Sequence, residues 1–217
     1  MRRSGAHPPV VTISRQAGCG AHAVAEALVT GLEAHPAPGA PSWTIVDRDL
    51  VDRVLTEHGL PERLAEYMPE DRVSEIADTL DELFGVHPAV RTLVWKTADT
   101  ILRLVEVGNV VIIGRAANIL TRELSFAFHV RLVGSLQRRV ERVQEHHHLG
   151  PREAMDHVRR VDRGRRRYVR KYYGKDIDDP LLYHLVINTD RISSEDAAEI
   201  VSRAMAGPLG GPGGPIP

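Results

Sequence analysis

Val10-Val11-Thr12-Ile13-Ser14-Arg15-Gln16-Ala17-Gly18-Cys19-Gly20-Ala21-His22-Ala23-Val24-Ala25-Glu26-Ala27-Leu28 decides the fold. An apolar, β-branched run leads into two glycines and then into an alanine-rich helix. That order is the layout of a phosphate-cradling loop, in which glycines let backbone N–H groups close on an anion and the helix N-terminus adds partial positive charge. The spacing G-x-x-x-x-G-K-[ST] is half kept. Gly20 stands where the second glycine belongs, while Arg15 takes the place of the first and Ala21 that of the lysine. A plain strand–turn–helix junction, with glycines supplying positive φ, accounts equally well for the loop taken alone.

Outward from this stretch, strand-like and helix-like patterns alternate. Short runs rich in Val, Ile or Leu predict buried parallel strands at 10–14, 43–47, 109–113, 127–133 and 184–188. Helical periodicity fills 22–34, 49–57, 71–84, 88–107, 135–148, 151–173 and 194–205. Pro36, Pro38, Gly39 and Pro41 mark a loop, and Ser193-Ser194-Glu195-Asp196 opens the last helix with a cap and early acids. The alternation predicts a three-layer α/β/α domain on a five-stranded parallel sheet over 10–205, between disordered tails at 1–9 and 206–217. In such sheets ligands bind beyond the C-terminal strand ends, where 15–21 lies.

The bulk numbers narrow the function classes. The chain has 217 residues, 42% apolar and 26% charged, with a formal net charge of -1. No global field draws it to nucleic acid or a membrane surface, and neither is expected as a partner. The single cysteine, Cys19, excludes a disulfide framework and fits a reducing cytoplasm. No apolar run approaches the ~20 residues of a membrane span.

Three further segments are expected at the loop's edge of the sheet. Asp47 and Asp49 end the second strand, where carboxylates hold Mg²⁺ through water, orient a substrate or cap the next helix. Gly114-Arg115 sits at the tip of the third strand, where a guanidinium can hold a phosphate with two hydrogen bonds. The basic run Arg159 to Tyr173 is the one concentrated positive field, and Gly164 within it gives a point at which the helix can bend. Asp162 and Arg165 share a helical face and can form a simple pair. So many arginines repel one another unless carboxylates or a polyanion offset them. His146-His147-His148 ends a helix, where histidine suits the dipole, and adjacent positions point in different directions, so no shared metal is expected there. Cys19 is expected as a bystander, and Met68, Phe84 and Trp95 as core.

In chain order these pieces resemble the cytidylate kinase-like family, a branch of the P-loop nucleoside monophosphate kinases. The resemblance rests on Ile13-Ser14-Arg15 with Gly18-Cys19-Gly20, Asp47-Arg48-Asp49-Leu50, Gly114-Arg115-Ala116-Ala117 and Asp162-Arg163-Gly164-Arg165. Tyr172-Tyr173-Gly174-Lys175, Asp179-Pro180, Tyr183 and Leu185-Val186-Ile187-Asn188-Thr189 complete the set. It implies a P-loop kinase fold with a helical lid at about 150–180, and phosphoryl transfer from ATP with Mg²⁺ to a nucleoside monophosphate, CMP-like, or another small acceptor. Gln16, Ala17, Gly18, Cys19, Gly20, Ala21 and His22 would hold the donor phosphates. Arg115, with Gly114, Asp47, Asp49 and Arg53, would serve the acceptor. Asp162 and Arg165 match the lid's Asp-x-x-Arg, and with Arg15 and Arg115 make up the expected catalytic set. Cytidylate kinases proper carry a lysine where this chain has Ala21, and acids where it has Ile113 and Ala116. The kinase-like branch commonly lacks the lysine too and often has an arginine one place later, where this chain has His22. Arg15 or lid arginines can supply the lost charge, and metal ligands stay unassigned. The alternative is a regulatory module that binds nucleotide or phosphate without turnover. The long helix 88–107 leaves room for a homodimer.

Overall fold

The computed structural model describes residues 7–34, 41–47 and 88–206. In chain order they form β1 (Val10–Arg15), α1 (Ala21–Glu33), β2 (Thr44–Val46), α2 (Pro88–Val107), β3 (Val110–Ile113), α3 (Ala117–Leu120), β4 (Ala127–Val133), α4 (Leu136–His147), α5 (Pro151–Tyr173), β5 (Leu185–Asn188) and α6 (Ser194–Ala206). A single 3₁₀ turn, Pro180–Leu182, precedes β5. The expected elements at 49–57 and 71–84, and with them Arg48, Asp49, Arg53, Met68 and Phe84, lie outside the described residues.

All five strands are parallel, in the order β2-β3-β1-β4-β5. β1 is central, with Val10 opposite both Val110 and Ala127. Its alternation sorts the core into two. Val11 and Ile13 face α1 and α6, with Val24, Leu28, Ala197 and Val201. Val10, Val110 and Ile112 face the other way, onto Ile101 and Val105 of α2 and Ala117 of α3. Each such Ile or Leu, fully buried, stabilises the fold by about 2 kcal/mol. The three layers that the sequence predicts are present.

Three differences from expectation have local causes. Trp95 is not core: it lies on the outer side of α2 and is 68% exposed, whereas the same helix buries Ile101 and Val105. Residues 7–9, read from sequence as part of a disordered tail, are tied down. Pro9 accepts from the Asn109 amide at 2.9 Å, and His7 stacks on Phe126 with ring centroids 4.7 Å apart. Helix α5 runs as one helix through Gly164, which is buried on its inner face, so the glycine expected as a point of bending interrupts nothing here.

Candidate functional site

The loop between β1 and α1 is fixed from three sides. The Gln16 amide continues the β1–β4 ladder by donating to Leu132 O at 3.0 Å, while its side-chain oxygen accepts from Gly134 N at 3.0 Å. Cys19 N closes a turn onto Gln16 O at 3.3 Å. Gly18 has φ +79°, and a Cβ there would meet the Arg139 carbonyl oxygen at 2.4 Å, so this glycine is required by both conformation and contact. Gly20 is different. It caps α1 in the left-handed region with no side-chain hydrogen bond, and a Cβ there would find nothing nearer than Ser194 Oγ at 3.9 Å. Gly20 and His22 are exposed while Ala21 between them is buried, and no side chain caps the first turn of α1. His22 is exposed and pairs with Glu26 at 3.3 Å. Cys19 is 2% exposed, and burial pushes its thiol up, so it is a neutral packing residue beneath the loop and not a nucleophile.

Helix α5 crosses this loop and docks on it through Asp162. One carboxylate oxygen accepts from the Ala17 amide at 2.7 Å, and the other accepts from Arg139 Nη1 at 2.6 Å. Asp162 thus turns to the loop, where an anion's oxygen would sit. Arg139, on α4 and buried, also donates to Ala17 O at 3.1 Å and Gly134 O at 3.0 Å. Its neighbour one turn on, Arg142, reaches Gly18 O at 3.3 Å and Thr189 O at 2.6 Å, with Asp190 at 3.7 Å. Arg165, one turn beyond Asp162, donates to Arg15 O at 3.3 Å. The loop, α4 and the expected lid are one hydrogen-bonded unit.

The opposite wall comes from β3. Gly114, Arg115 and Ala116 take φ values of 83°, 56° and 53° in succession. Two non-glycine residues in the left-handed region cost roughly 1–2 kcal/mol each, and the strain is held by the Gly114 amide donating to Ile13 O at 2.9 Å. This kink turns the chain at once into α3 and sets Arg115 at the strand tip. Across from it Arg15 pairs with Asp47 at 3.7 Å, joining the ends of β1 and β2. Between these walls and α5 lies a narrow cleft lined by Arg15, Gly114, Asn118, Arg165, Tyr168 and Tyr183 among others. Arg15, Gly114 and Arg165, far apart in sequence, line it together; Arg115 and Asp162 are not in its lining, and Asp162 turns to the loop instead.

Sequence reasoning missed the residues behind the cleft. Arg131, buried in β4, donates to Ser14 Oγ at 2.8 Å and to Asp178 Oδ1 at 2.7 Å. Asp178 also receives Arg166 at 2.8 Å. Burial alone would raise the Asp178 carboxyl, but its hydrogen bonds and the two guanidinium charges prevail and hold it below the usual range. Carboxylates thus offset part of the basic helix. Tyr183 donates to Ile177 O at 2.8 Å and lies 3.3 Å from Ser14 Oγ. An arginine inside the strand Ala127–Val133, apolar but for it and His129, was the available signal. Arg139 and Arg142 had none, since three-residue spacing on a polar helix also describes solvated arginines.

This parallel sheet, with a glycine loop after its central strand and an arginine-rich helix closed over it, is the fold of P-loop kinases. The chain belongs to the cytidylate kinase-like family, whose model matches residues 10–191. An uncharacterized protein from Eubacterium ventriosum is similar in structure, with TM-score 0.68 and 17% identity over 91% of this chain and 98% of that one. A Thermus thermophilus protein follows with TM-score 0.50 and 18% identity over 93% and 98%. Shikimate kinase from Bacteroides thetaiotaomicron gives TM-score 0.49 at 12% identity over 91% and 97%. No relative was found among curated proteins. Among the described residues, no helix is long and apolar enough to cross a membrane.

Proposed function

We propose that the protein transfers a phosphoryl group from ATP, with Mg²⁺, to a small acceptor held in the cleft: a nucleoside monophosphate of the CMP type or another small hydroxyl or phosphate compound. The observation that carries this reading is the convergence of Arg15, Gly114 and Arg165 on one cleft beside an uncapped glycine loop. Phosphoryl transfer asks for positioning and charge neutralisation, with no covalent partner. The donor phosphates would sit at the N-terminus of α1, where Gly20 is exposed and Arg142 stands beside Gly18. Mg²⁺ is held in such sites by one or two carboxylates together with phosphate oxygens and water, and it neutralises the charge developing there. Asp47 is the described carboxylate at that strand edge. Arg15, already paired with it, and Arg165 would take over the charge of the missing lysine. Arg115, at the tip of β3 outside the cleft lining, would reach the acceptor's phosphate or neighbouring groups, and α5 would exclude water.

The test is ADP release from Mg²⁺-ATP against a panel of nucleoside monophosphates and other small acceptors. One acceptor is expected to stimulate release, and Arg165→Ala and Arg115→Ala are each expected to lower turnover by about 10²-fold, the loss typical of a preorganised charge contact. Turnover within a few-fold of wild type in both variants rules out the assigned roles. A second reading, a module that binds nucleotide without turnover, is favoured by Ala21 and by the seat of Asp162 on the Ala17 amide. A flat acceptor panel with ATP still raising the melting temperature would decide for it.

A further inference from the structure

Helix α5 also carries charge that neither the loop nor the cleft uses. At about 100° per residue, Arg152, Arg159, Arg163, Arg166 and Arg170 fall within an arc of about 60°, and every residue that the helix places in this arc is an arginine. All five are exposed, and the arc lies opposite the buried face of Ala154, Val158, Val161 and Tyr168. From first to last they make a straight ridge about 27 Å long. On α2, α4 and α6, exposed arginines sit one turn from an acid: Arg103 with Asp99, Arg138 with Glu141, Arg203 with Glu199. The ridge is built differently. Arg166 pairs with Asp178, with Asp176 near the same end, but none of the other four has an ion pair among the described residues. Their neighbours one turn away are like charges, which repel, as between Arg159 and Arg163. Asp156 lies just outside the arc.

We infer that this ridge docks on the phosphate backbone of a nucleic-acid duplex. The net charge of -1 conceals a local field of this kind, because the balancing acids lie elsewhere in the chain. Arginine forks hold phosphate oxygens with two hydrogen bonds, and a row of phosphates is an anion of matching extent. What the ridge lacks decides among polyanions. Protein interfaces are anchored by apolar and aromatic residues at their core, membrane-surface helices by an apolar face, and single strands by aromatic rings under their bases. The arc offers none of these. The apolar face of α5 is already buried on α4, and Tyr168, Tyr172 and Tyr173 pack on one another. A duplex backbone asks only for cations in a row and is held without regard to base sequence. This surface is separate from the cleft, whose lining takes only Arg165, Tyr168 and Val169 from α5.

Fluorescence anisotropy of a labelled DNA duplex of about 20 base pairs tests this on the full chain. Binding with a micromolar dissociation constant is expected at about 50 mM salt, alike for two unrelated sequences. Three or four neutralised phosphates give a log–log salt slope of about -2.7 to -3.6, so affinity should fall roughly 40- to 150-fold by about 200 mM. Arg159→Gln with Arg163→Gln should make the slope shallower by about 2. Arg159→Glu with Arg163→Glu should weaken binding at low salt by about tenfold or more. Arg122→Glu with Arg203→Glu, the same change of charge at exposed sites off the helix, should stay within about threefold of wild type. A cooperative melt retained in every variant separates lost docking from lost folding. No binding at low salt, a slope shallower than about -1, or equal losses in the two charge-reversed variants would each overturn the inference. So would tighter binding to polyglutamate or phosphatidylserine vesicles, or displacement of the duplex by millimolar ATP at constant ionic strength.

Discussion

His129 shows what one buried side chain commits the protein to. It is 4% exposed, with its Nδ1 2.8 Å from Thr12 Oγ1, while its backbone N–H donates to His184 Nδ1 at 2.9 Å. His184 must therefore present a lone pair at Nδ1, which makes it the neutral Nε2–H tautomer. Burial, then the neighbouring His184, pushes His129 down from 6.5 to about 4. Between those two values the unfolded chain binds the proton and the folded one does not. Stability is therefore complete above about pH 6.5 and falls as the pH drops toward 4, by on the order of 3 kcal/mol. His129→Asn keeps a hydrogen-bonding atom near Thr12 and removes the titration, so its melting temperature should vary less between pH 7 and 4 than that of the wild type. An unchanged pH profile would reject this account. Nothing in the sequence announces the pair, because a histidine in an apolar strand reads the same whether it titrates or not. Arg131, two residues on, was more legible: a full charge in a buried strand requires partners, and Asp178 and Ser14 provide them.

At the scale of elements, strands and helices were readable because each carries its own period. The run Val110–Ile113 is apolar throughout because it is covered on both faces, and 151–173 alternates buried and exposed positions with helical spacing. Helix α3 escaped notice because it is a single turn of four residues, and what creates it is the left-handed run before it. Trp95 misled because periodicity gives a face but not its direction. How α4, α5 and the loop join was the least visible feature, since it depends on side chains from distant segments. Arg139 holds that junction, with side-chain exposures of 7% for itself and 18% for Asp162. Arg139→Leu strands the Asp162 carboxylate and two carbonyls, and is expected to cost on the order of 3 kcal/mol of unfolding free energy. Urea denaturation would show it as a lower midpoint at unchanged slope. A loss below about 0.5 kcal/mol, the scale of an ordinary surface substitution, would mean that the junction is not held there.

For the whole molecule, the order of motifs along the chain was enough to place the family and the fold, and the sheet edge collected the expected segments. What it left open was the state of that edge. Asp162 places a carboxylate on the amide of Ala17, so the loop is already engaged by an anion of the protein's own. Any phosphate arriving at Ala17 meets an incumbent, and its observed affinity is the intrinsic one scaled by the fraction of molecules in which the incumbent has stepped aside. If that fraction is about a tenth, binding is weakened about tenfold. Asp162→Asn, with a neutral and weaker acceptor at the same place, is then expected to tighten ATP binding even as it slows any turnover that needs the lid; weaker or unaltered ATP binding would refute this. With α5 as the proposed lid and the cleft as the proposed acceptor site, the departure of Asp162 would take one partner from Arg139 and one tether from α5. It would join phosphate binding, the seating of α5 and access to the cleft in one equilibrium. The donor would thereby set how often the acceptor finds an open door.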